Sequence, residues 1–485
     1  MTPPSLRTVR RLQAGEHFEA ELHLPVAVLG GGACGLVTAL ALHDLGVESV
    51  VLERDAVPAG STALSSGLVP AAGTRVQRAS GVHDDSAERF AADIQAKAKG
   101  RAEPQLVRAY TQAAGAALDG LEARHGIAWT LLDNFLYPGH SVHRMHGLPE
   151  RSGSALMAGL QRAAESAGVP VLTRALVDTL WIDADGERIV GIEWQRPDGT
   201  RERLGCDLLV LACNGFGGNA SMVRALLPEM AAASFGGHVG NDGSAIRWGE
   251  ALGARLRDLG GYQGHGSWVT PQGALMSWAV MMEGGIQVNR DGRRFHDETQ
   301  GYSEAAVHVL AQPGQIAWNL LDTPLLALAR EFPDFREAEA AGAVRSAASI
   351  DSLADTIGCD PATLQATLAA VQPDTAGPDG RLFRRALQPP YVAVKVTGAL
   401  FHTQGGLDVS PDMRVLRQDG TPFANLLAAG GAAGGVSGDA VWGYLSGNGL
   451  LSAVAGGWIA AHTAAALERM PATTQPDANL KETSA

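Results

Sequence analysis

The string GGGACG places Gly30, Gly32 and Gly35 at G-x-G-x-x-G spacing, directly after a short apolar run, residues 26–29, and at the opening of a helix-like segment, residues 34–45. The first such glycine permits a tight turn, the second lets a pyrophosphate approach the backbone, the third allows helix and strand to pack, and the helix N-terminus attracts negative charge. Glu53 succeeds a second apolar run, residues 49–52, where an acidic side chain accepts hydrogen bonds from a ribose. Strand, turn, helix and acid together indicate a dinucleotide. Two further segments favour FAD over NAD. GSTALSSGLVPAAGT, residues 60–74, is a loop of small residues suited to passing along a flat ring system, and NLLAAGGAAGG, residues 425–435, supplies a second strand-then-glycine element. Two separated glycine-rich loops suit an extended cofactor held at both ends. Beside them GRRFHDETQGYSEAA, residues 292–306, raises a question, because Tyr302 stands in a stretch otherwise built of charge and turn residues.

The elements that must position these groups belong to a chain of 485 residues, long enough for two or three domains or for interleaved segments of one. Hydrophobic content of 46% and charged content of 18% fit a globular protein, and 60 glycines imply many tight turns. A net charge of -13 with no basic stripe excludes a general phosphate-backbone binder, so no nucleic-acid partner is expected. Cys34, Cys206, Cys213 and Cys359 form no CxxC or CxxCH pattern, which signals neither a metal site nor a haem and fits a reducing compartment. The first 24 residues have no apolar h-region, so the expected location is cytoplasmic. The longest apolar run, residues 450–467, contains Gly456-Gly457 and His462 and is short for a span of about 20 residues; it reads as a buried helix, and no integral membrane segment is expected.

Residues 26–52 read as a βαβ unit. Residues 102–125 and 152–167 look helical, residues 170–173 and 189–194 read as strand, and residues 207–212 form a buried strand ending in CNGFGGN. After residue 244 Ala-rich helices alternate with strands up to residue 387, and strand and glycine signals then return. The expected fold class is α/β: a Rossmann-like FAD-binding domain, discontinuous over residues 1–244 and 388–470, with an inserted α+β substrate-capping domain at residues 245–387 and a flexible tail at 471–485.

Gly30 to Glu53, Ser61 to Gly67, CNGFGGN at 213–219, GGIQVNRDGRRF at 284–295, HTQGGLDV at 402–409 and LLAAGGAAGGVSG at 426–438 resemble, in order and across nearly the whole chain, the fumarate reductase/succinate dehydrogenase flavoprotein superfamily. The resemblance implies substrate held between the isoalloxazine ring and the cap, and cofactor contacts from Ser61, Thr62, Ser66, Gly67, His402, Gly431, Asn448 and Leu450. The covalent-flavin histidine of the respiratory enzymes has no counterpart in PAGSTALSSG, so noncovalent FAD is expected. Ala432 stands where many relatives carry a glutamate.

The chain departs from the dicarboxylate-reducing members at three positions where an arginine or histidine handles their substrate. Their N-E-x-x-x-R-D motif aligns Glu298 with the glutamate and Tyr302 with the proton-delivering arginine; Phe401 takes the place of the histidine in H-x-T-M-G-G, and GDAVWGYLSGNG has no counterpart of their later arginine. A buried carboxylate needs a cationic or strongly donating partner, whereas a neutral carbonyl needs one or two hydrogen-bond donors. Glu298 to Tyr302 is similar to the N-E-x-x-x-Y of 3-ketosteroid dehydrogenases, and GYLSG at 443–447 resembles the G-Y-x-S-G of the branch acting on 5α-reduced 3-ketosteroids. That similarity implies desaturation beside a ketone, with Tyr302 in α-proton transfer, Tyr444 with Ser446 in carbonyl polarisation or relay, and the two tyrosines free to exchange roles. A phenol, with a reference pKa near 10, needs a neighbouring donor or charge to ionise near neutrality. His265, Trp278, Phe401 and Trp442 are the expected substrate-pocket residues. The implied partners are a small-molecule carbonyl compound and a separate electron acceptor, with ene reduction as the alternative direction. A carboxylate-specific reductase would require Arg144, Arg247 or Arg294 to reach the site, and an electron-transfer subunit would take no substrate.

Overall fold

The computed structural model describes residues 7–469, so the tail expected at 471–485 lies outside the described residues. Five parallel strands form the sheet that carries the glycine loop, in the spatial order Pro422–Ala428, Arg201–Leu211, Leu22–Leu29, Ser49–Leu52 and Val171–Leu172. Residues Val26 to Leu29 are at most 3% exposed, as expected of parallel strands covered on both faces. An antiparallel meander, Leu176–Ile182 and Ile189–Gln195 leading into Arg201–Leu211, widens this sheet, and Thr8–Arg11 adds to its edge parallel to Leu176–Ile182.

The helix Ala33–Asp44 begins at the first glycine turn and packs against Asn448–Glu468, which in turn packs on Pro104–His125. Close helix contact explains Gly457: a Cβ there would lie 2.5 Å from the Cys34 carbonyl oxygen. Among the described residues Asn448–Glu468 is the one helix long and apolar enough to cross a membrane, and it forms part of this core.

The second sheet is centred on a long strand, Tyr391–Thr403, flanked by Tyr262–Val269 and Ala274–Leu275 on one side and by Ile316–Leu321 and Ile286–Val288 on the other. Ser234–Phe235 and Val344–Ala347 also pair with the central strand. This sheet therefore takes two strands from outside residues 245–387. The apolar run of Tyr391–Thr403 leads directly into Gly405 and Gly406, so in sequence it reads with the cofactor half, while its register joins it to the cap.

Candidate active site

The cofactor end is built from backbone. Gly30 has φ +112, and a Cβ on it would meet the Ala212 carbonyl oxygen at 2.5 Å; a Cβ on Gly35 would lie 1.9 Å from the Gly30 oxygen. Both positions exclude any side chain. Glu53, 6% exposed, accepts the Gly31 N–H at 2.7 Å and the Asp55 N–H at 2.9 Å, so it holds the glycine loop as well as facing the cleft. Thr62 Oγ1 accepts the Ala33 N–H at 3.3 Å, and Ser61 Oγ accepts from the His238 N–H at 3.1 Å and from Asn241 Nδ2 at 2.8 Å, tying the 60–67 loop to the 236–241 loop.

One continuous cleft runs from Glu53 past Gly30, Gly32, Ser61, Thr62, Ser66 and Gly431 to Leu450, Phe401, His402, Tyr302, Tyr444 and Ser446. Gly35, Gly67 and Asn448 do not line it. Gly35 and Gly67 serve close packing, and Asn448 is joined through Ser437 and Gln404 to His402. His402 donates from Nδ1 to the Thr403 carbonyl at 2.9 Å, which leaves Nε2 as acceptor for Gln404, and a Cβ on Gly449 would fall 2.2 Å from that Nε2.

Tyr302 is the first residue of the helix Tyr302–Leu310, preceded by Gly301 at φ +136. Glu298 anchors the approach. Its fully buried carboxylate meets Arg294 at 2.5 Å and Arg381 at 2.7 Å and accepts the Gln287 N–H at 2.8 Å, while its carbonyl accepts from Trp278 Nε1 at 2.9 Å. The Tyr302 ring stacks on His265 at 4.9 Å and 21°, and lies 6.1 Å from the Tyr444 ring. Ser446 lines the same end of the cleft, and its side chain acts on the Tyr302 phenol. Tyr444 is in turn edge-on to His402 at 5.9 Å, and its hydroxyl oxygen accepts the Gly449 N–H at 3.5 Å.

Burial first, and then the neighbouring Tyr444, push the Tyr302 phenol well above the ordinary tyrosine range against the opposing influence of the Ser446 side chain. Burial does the same to Tyr444. It depresses His265 to about 3 and His402 to about 4, so both imidazoles are neutral near pH 7. The reacting end is thus an uncharged, aromatic enclosure with two phenol donors.

Of the expected pocket residues, Phe401 lines the cleft, while His265 and Trp278 lie one layer behind, packed edge-on to each other at 5.7 Å. Trp442 corrects the sequence reading. Its ring lies under Lys99 Nζ at 4.4 Å and Arg101 Cζ at 5.4 Å, outside the cleft, because the turn Val441–Gly443 directs it toward these cations. None of the three arginines that a carboxylate site would need arrives. Arg144 is ion-paired with Asp85 and Asp93, Arg294 with Glu298 and Asp379, and Arg247 does not line the cleft. Among the described residues the arginines on the cleft wall are Arg7 and Arg54, joined through Asp242 at the Glu53 end. Sequence reasoning missed Arg7, Val177, His238 and Asn241. The glycine-rich string at 236–243 signals the last two, whereas Arg7 reaches the cleft through the pairing of Thr8–Arg11 with Leu176–Ile182, which leaves no local mark.

The FAD_binding_2 (FAD binding domain) model matches residues 25–450. The chain belongs to this family. It is an FAD-dependent oxidoreductase, similar to the probable fumarate reductase Ifc3 of Shewanella frigidimarina, 28% identical over 91% of this chain and 74% of the relative. It is 29% identical to the NADH:fumarate oxidoreductase of Klebsiella pneumoniae over 93% of its own length, and spans about half, 49%, of that protein. The 4-oxocyclohexanecarboxylate 2-dehydrogenase of Sinomonas cyclohexanicum is 25% identical over 84% of this chain and 87% of the relative. In structure the chain matches the open conformation of a flavocytochrome c3 fumarate reductase with a TM-score of 0.78 and 26% identity, covering 94% of this chain and 80% of that one. The fold of a Rhodococcus jostii 3-ketosteroid-Δ4-(5α)-dehydrogenase matches at 0.74 and 23% identity, over 94% of this chain and 99% of that one.

The cleft of this FAD family member fits its cofactor. The helix Ala33–Asp44 opens at Gly32 with no side-chain cap, so N–H groups remain for a pyrophosphate, and Glu53 stands at the ribose end. The loop of small residues then leads to the tyrosine pair.

Proposed function

We propose that the chain catalyses α,β-dehydrogenation of a neutral cyclic ketone, from a cyclohexanone to a 3-ketosteroid-like molecule, in the cytoplasm, with FAD held noncovalently and a separate electron acceptor completing the cycle. The observation that carries this reading is the pair of phenols, the half-buried Tyr302 and the buried Tyr444, with Ser446 at an end of the cleft remote from its arginines, Arg7 and Arg54. A carboxylate there would stand unpaired, at a cost of several kcal/mol. A ketone oxygen needs one or two donors, and the Tyr444 hydroxyl is one. The relative named for dehydrogenating 4-oxocyclohexanecarboxylate supports a cyclic ketone.

FAD bound in the cleft supplies the acceptor for the electron pair that leaves with the β-hydrogen. Tyr302, as phenolate, takes the α-proton: the Cα–H bond breaks, its electrons pass toward the forming double bond, and the proton ends on the phenol oxygen, from which Ser446 relays it. The Tyr444 hydroxyl holds the carbonyl oxygen while enolate charge develops there. His265 stacked on Tyr302, with Phe401, excludes water from this exchange.

One observation favours the opposite direction as a second reading. With its pKa well above 10, Tyr302 is a phenol near neutrality, the form that would protonate the α-carbon in ene reduction. The two readings differ in pH dependence. Dehydrogenation draws on the minor phenolate, so kcat/KM climbs with pH through the alkaline range, whereas reduction draws on the phenol and its rate stays level there. The test supplies purified holoprotein with a redox dye and cyclohexanone, 5α-androstane-3,17-dione or succinate, and identifies products by absorbance and mass. Enone formation, rising with pH, is expected from a ketone. Turnover of succinate with neither ketone oxidised would refute the proposal.

A further inference from the structure

Behind the Tyr444–Ser446 turn lies a buried charged cluster that the reaction so far leaves without a task. Arg144 is fully buried; it donates to Asp85 from Nε at 3.1 Å and from Nη2 at 2.8 Å, donates to Asp93 from Nη1, and sits 4.6 Å over the Phe90 ring. Nη1 also lies 3.2 Å from His140 Nδ1. A guanidinium only donates, so Nδ1 is the acceptor and the proton of the neutral ring is on Nε2. That Nε2–H donates to the Ser446 carbonyl at 2.9 Å. His140 is 6% exposed, and burial, then the Arg144 charge, lowers it to about 4, so the arrangement does not titrate over the working range.

Further contacts hold this cluster in place, and its backbone presses on the turn. His146 donates from Nδ1 to the Arg144 carbonyl at 2.9 Å and pairs through Nε2 with the Thr74 hydroxyl at 2.8 Å, while Gln77 holds Asp85 at 2.7 Å. A Cβ on Gly139, next to His140, would lie 2.6 Å from Leu445 Cδ1, so this backbone is pressed against the turn. Burying an ion triad is weak evidence for stability, because the desolvation cost offsets the Coulomb gain. Here the triad fixes one imidazole in one tautomer, and that imidazole ends on the backbone carbonyl of Ser446, which lines the reacting end of the cleft with Tyr302 and Tyr444.

We infer that His140 is a positioning residue: oriented by Arg144, it holds the Ser446 carbonyl and thereby sets the Ser446 hydroxyl against Tyr302. This rests on the reading of Tyr302 and Ser446 as the reacting pair.

The test compares FAD-loaded His140→Leu and His140→Gln, each in wild-type and Ser446→Ala backgrounds, using 5α-androstane-3,17-dione, cyclohexanone and the corresponding enones as probes. The leucine variant is expected to lose about tenfold or more in kcat, with KM changed by no more than about twofold and the alkaline rise in rate moved to higher pH. Glutamine places an amide N–H where Nε2 stood and restores most of the rate. In the Ser446→Ala background the leucine substitution adds no further loss, because the hydroxyl it would misplace is gone. Unchanged kcat and pH profile in His140→Leu, or an equal loss in both backgrounds, overturns the inference and leaves the cluster a purely structural role. If the leucine variant does not hold FAD, His140→Asn replaces it with the same opposed outcomes, since its amide superposes on the Nδ1 edge and has nothing at Nε2. Full turnover by Tyr302→Phe, or no turnover of any probe, overturns the reading beneath; loss in Tyr302→Phe with wild-type behaviour in His140→Leu overturns the positioning role alone.

Discussion

Tyr302→Phe is expected to retain its FAD and its fold yet to lose about 10²–10⁴ in kcat for ketone oxidation, the range associated with a positioned acid–base group. The change removes one oxygen and keeps the ring that stacks on His265, so packing of the aromatic enclosure is preserved. KM should move little, because the proposed mechanism gives the carbonyl to Tyr444 rather than to Tyr302. The measurement is the kcat and KM of the two proteins at equal flavin content, read from the visible flavin band. Since the wild-type phenol sits well above the ordinary range, the alkaline rise in kcat/KM should also vanish in the variant. A Tyr302→Phe enzyme with near-normal turnover would remove the proton-transfer assignment.

Glu298→Gln is expected to cost about 3–5 kcal/mol of stability at neutral pH, the range for breaking a buried ion pair by removal of one partner. The carboxylate is 0% exposed and answers two guanidiniums, Arg294 and Arg381, the second of which is 3% exposed; glutamine leaves Arg381 in the interior with a neutral partner and Arg294 with Asp379 alone. The direction of the pKa shift sets the sign with pH. Burial would raise the Glu298 pKa, but the Arg294 hydrogen bond and the Arg381 and Arg294 charges outweigh it, and the net value is lowered. The stabilisation from ionised Glu298 is therefore complete above the unfolded carboxyl pKa and is lost as pH falls through the lower folded value. Urea unfolding of the two proteins should show the widest gap near neutrality and a narrowing gap below about pH 4. An equal gap at every pH would show that Glu298 contributes through shape rather than charge. Because the Glu298 carbonyl also holds Trp278, and Tyr302 lies in the same short segment, the variant should lose activity as well as stability.

The features legible in the sequence were those the chain keeps local. Gly30, Gly32, Gly35 and Glu53 belong to one βαβ unit, and Tyr302 succeeds Glu298 by one helical turn's spacing, so the cofactor end and the approach to the reacting end could be read from short strings. The buried helix Asn448–Glu468 was likewise visible through its paired glycines and histidine. Features that depend on strand register were not. Arg7 enters the cleft because Thr8–Arg11 pairs with a strand more than 160 residues away, and Tyr391–Thr403 joins the cap through pairings with Tyr262–Val269 and Ile316–Leu321. Aromatic type was also a poor guide to direction. Phe401 and Trp442 looked equivalent as pocket walls, yet one borders the cleft and the other covers its ring with Lys99 and Arg101. No task for Arg144 and His146 could be read from the sequence, since their partners Asp85, Asp93, Thr74 and His140 are gathered from separate loops.

The central claim is that the tyrosine pair serves a neutral ketone rather than a carboxylate. Its most direct test is anaerobic visible spectroscopy of the holoprotein mixed separately with 5α-androstane-3,17-dione, cyclohexanone, succinate and buffer. Loss of the oxidised-flavin band with a ketone, together with one equivalent of enone and no change with succinate or buffer, is the predicted result. Bleaching by succinate alone would contradict it, because the carboxylate would then have found in this site a cationic partner that Tyr302, Tyr444 and Phe401 do not provide.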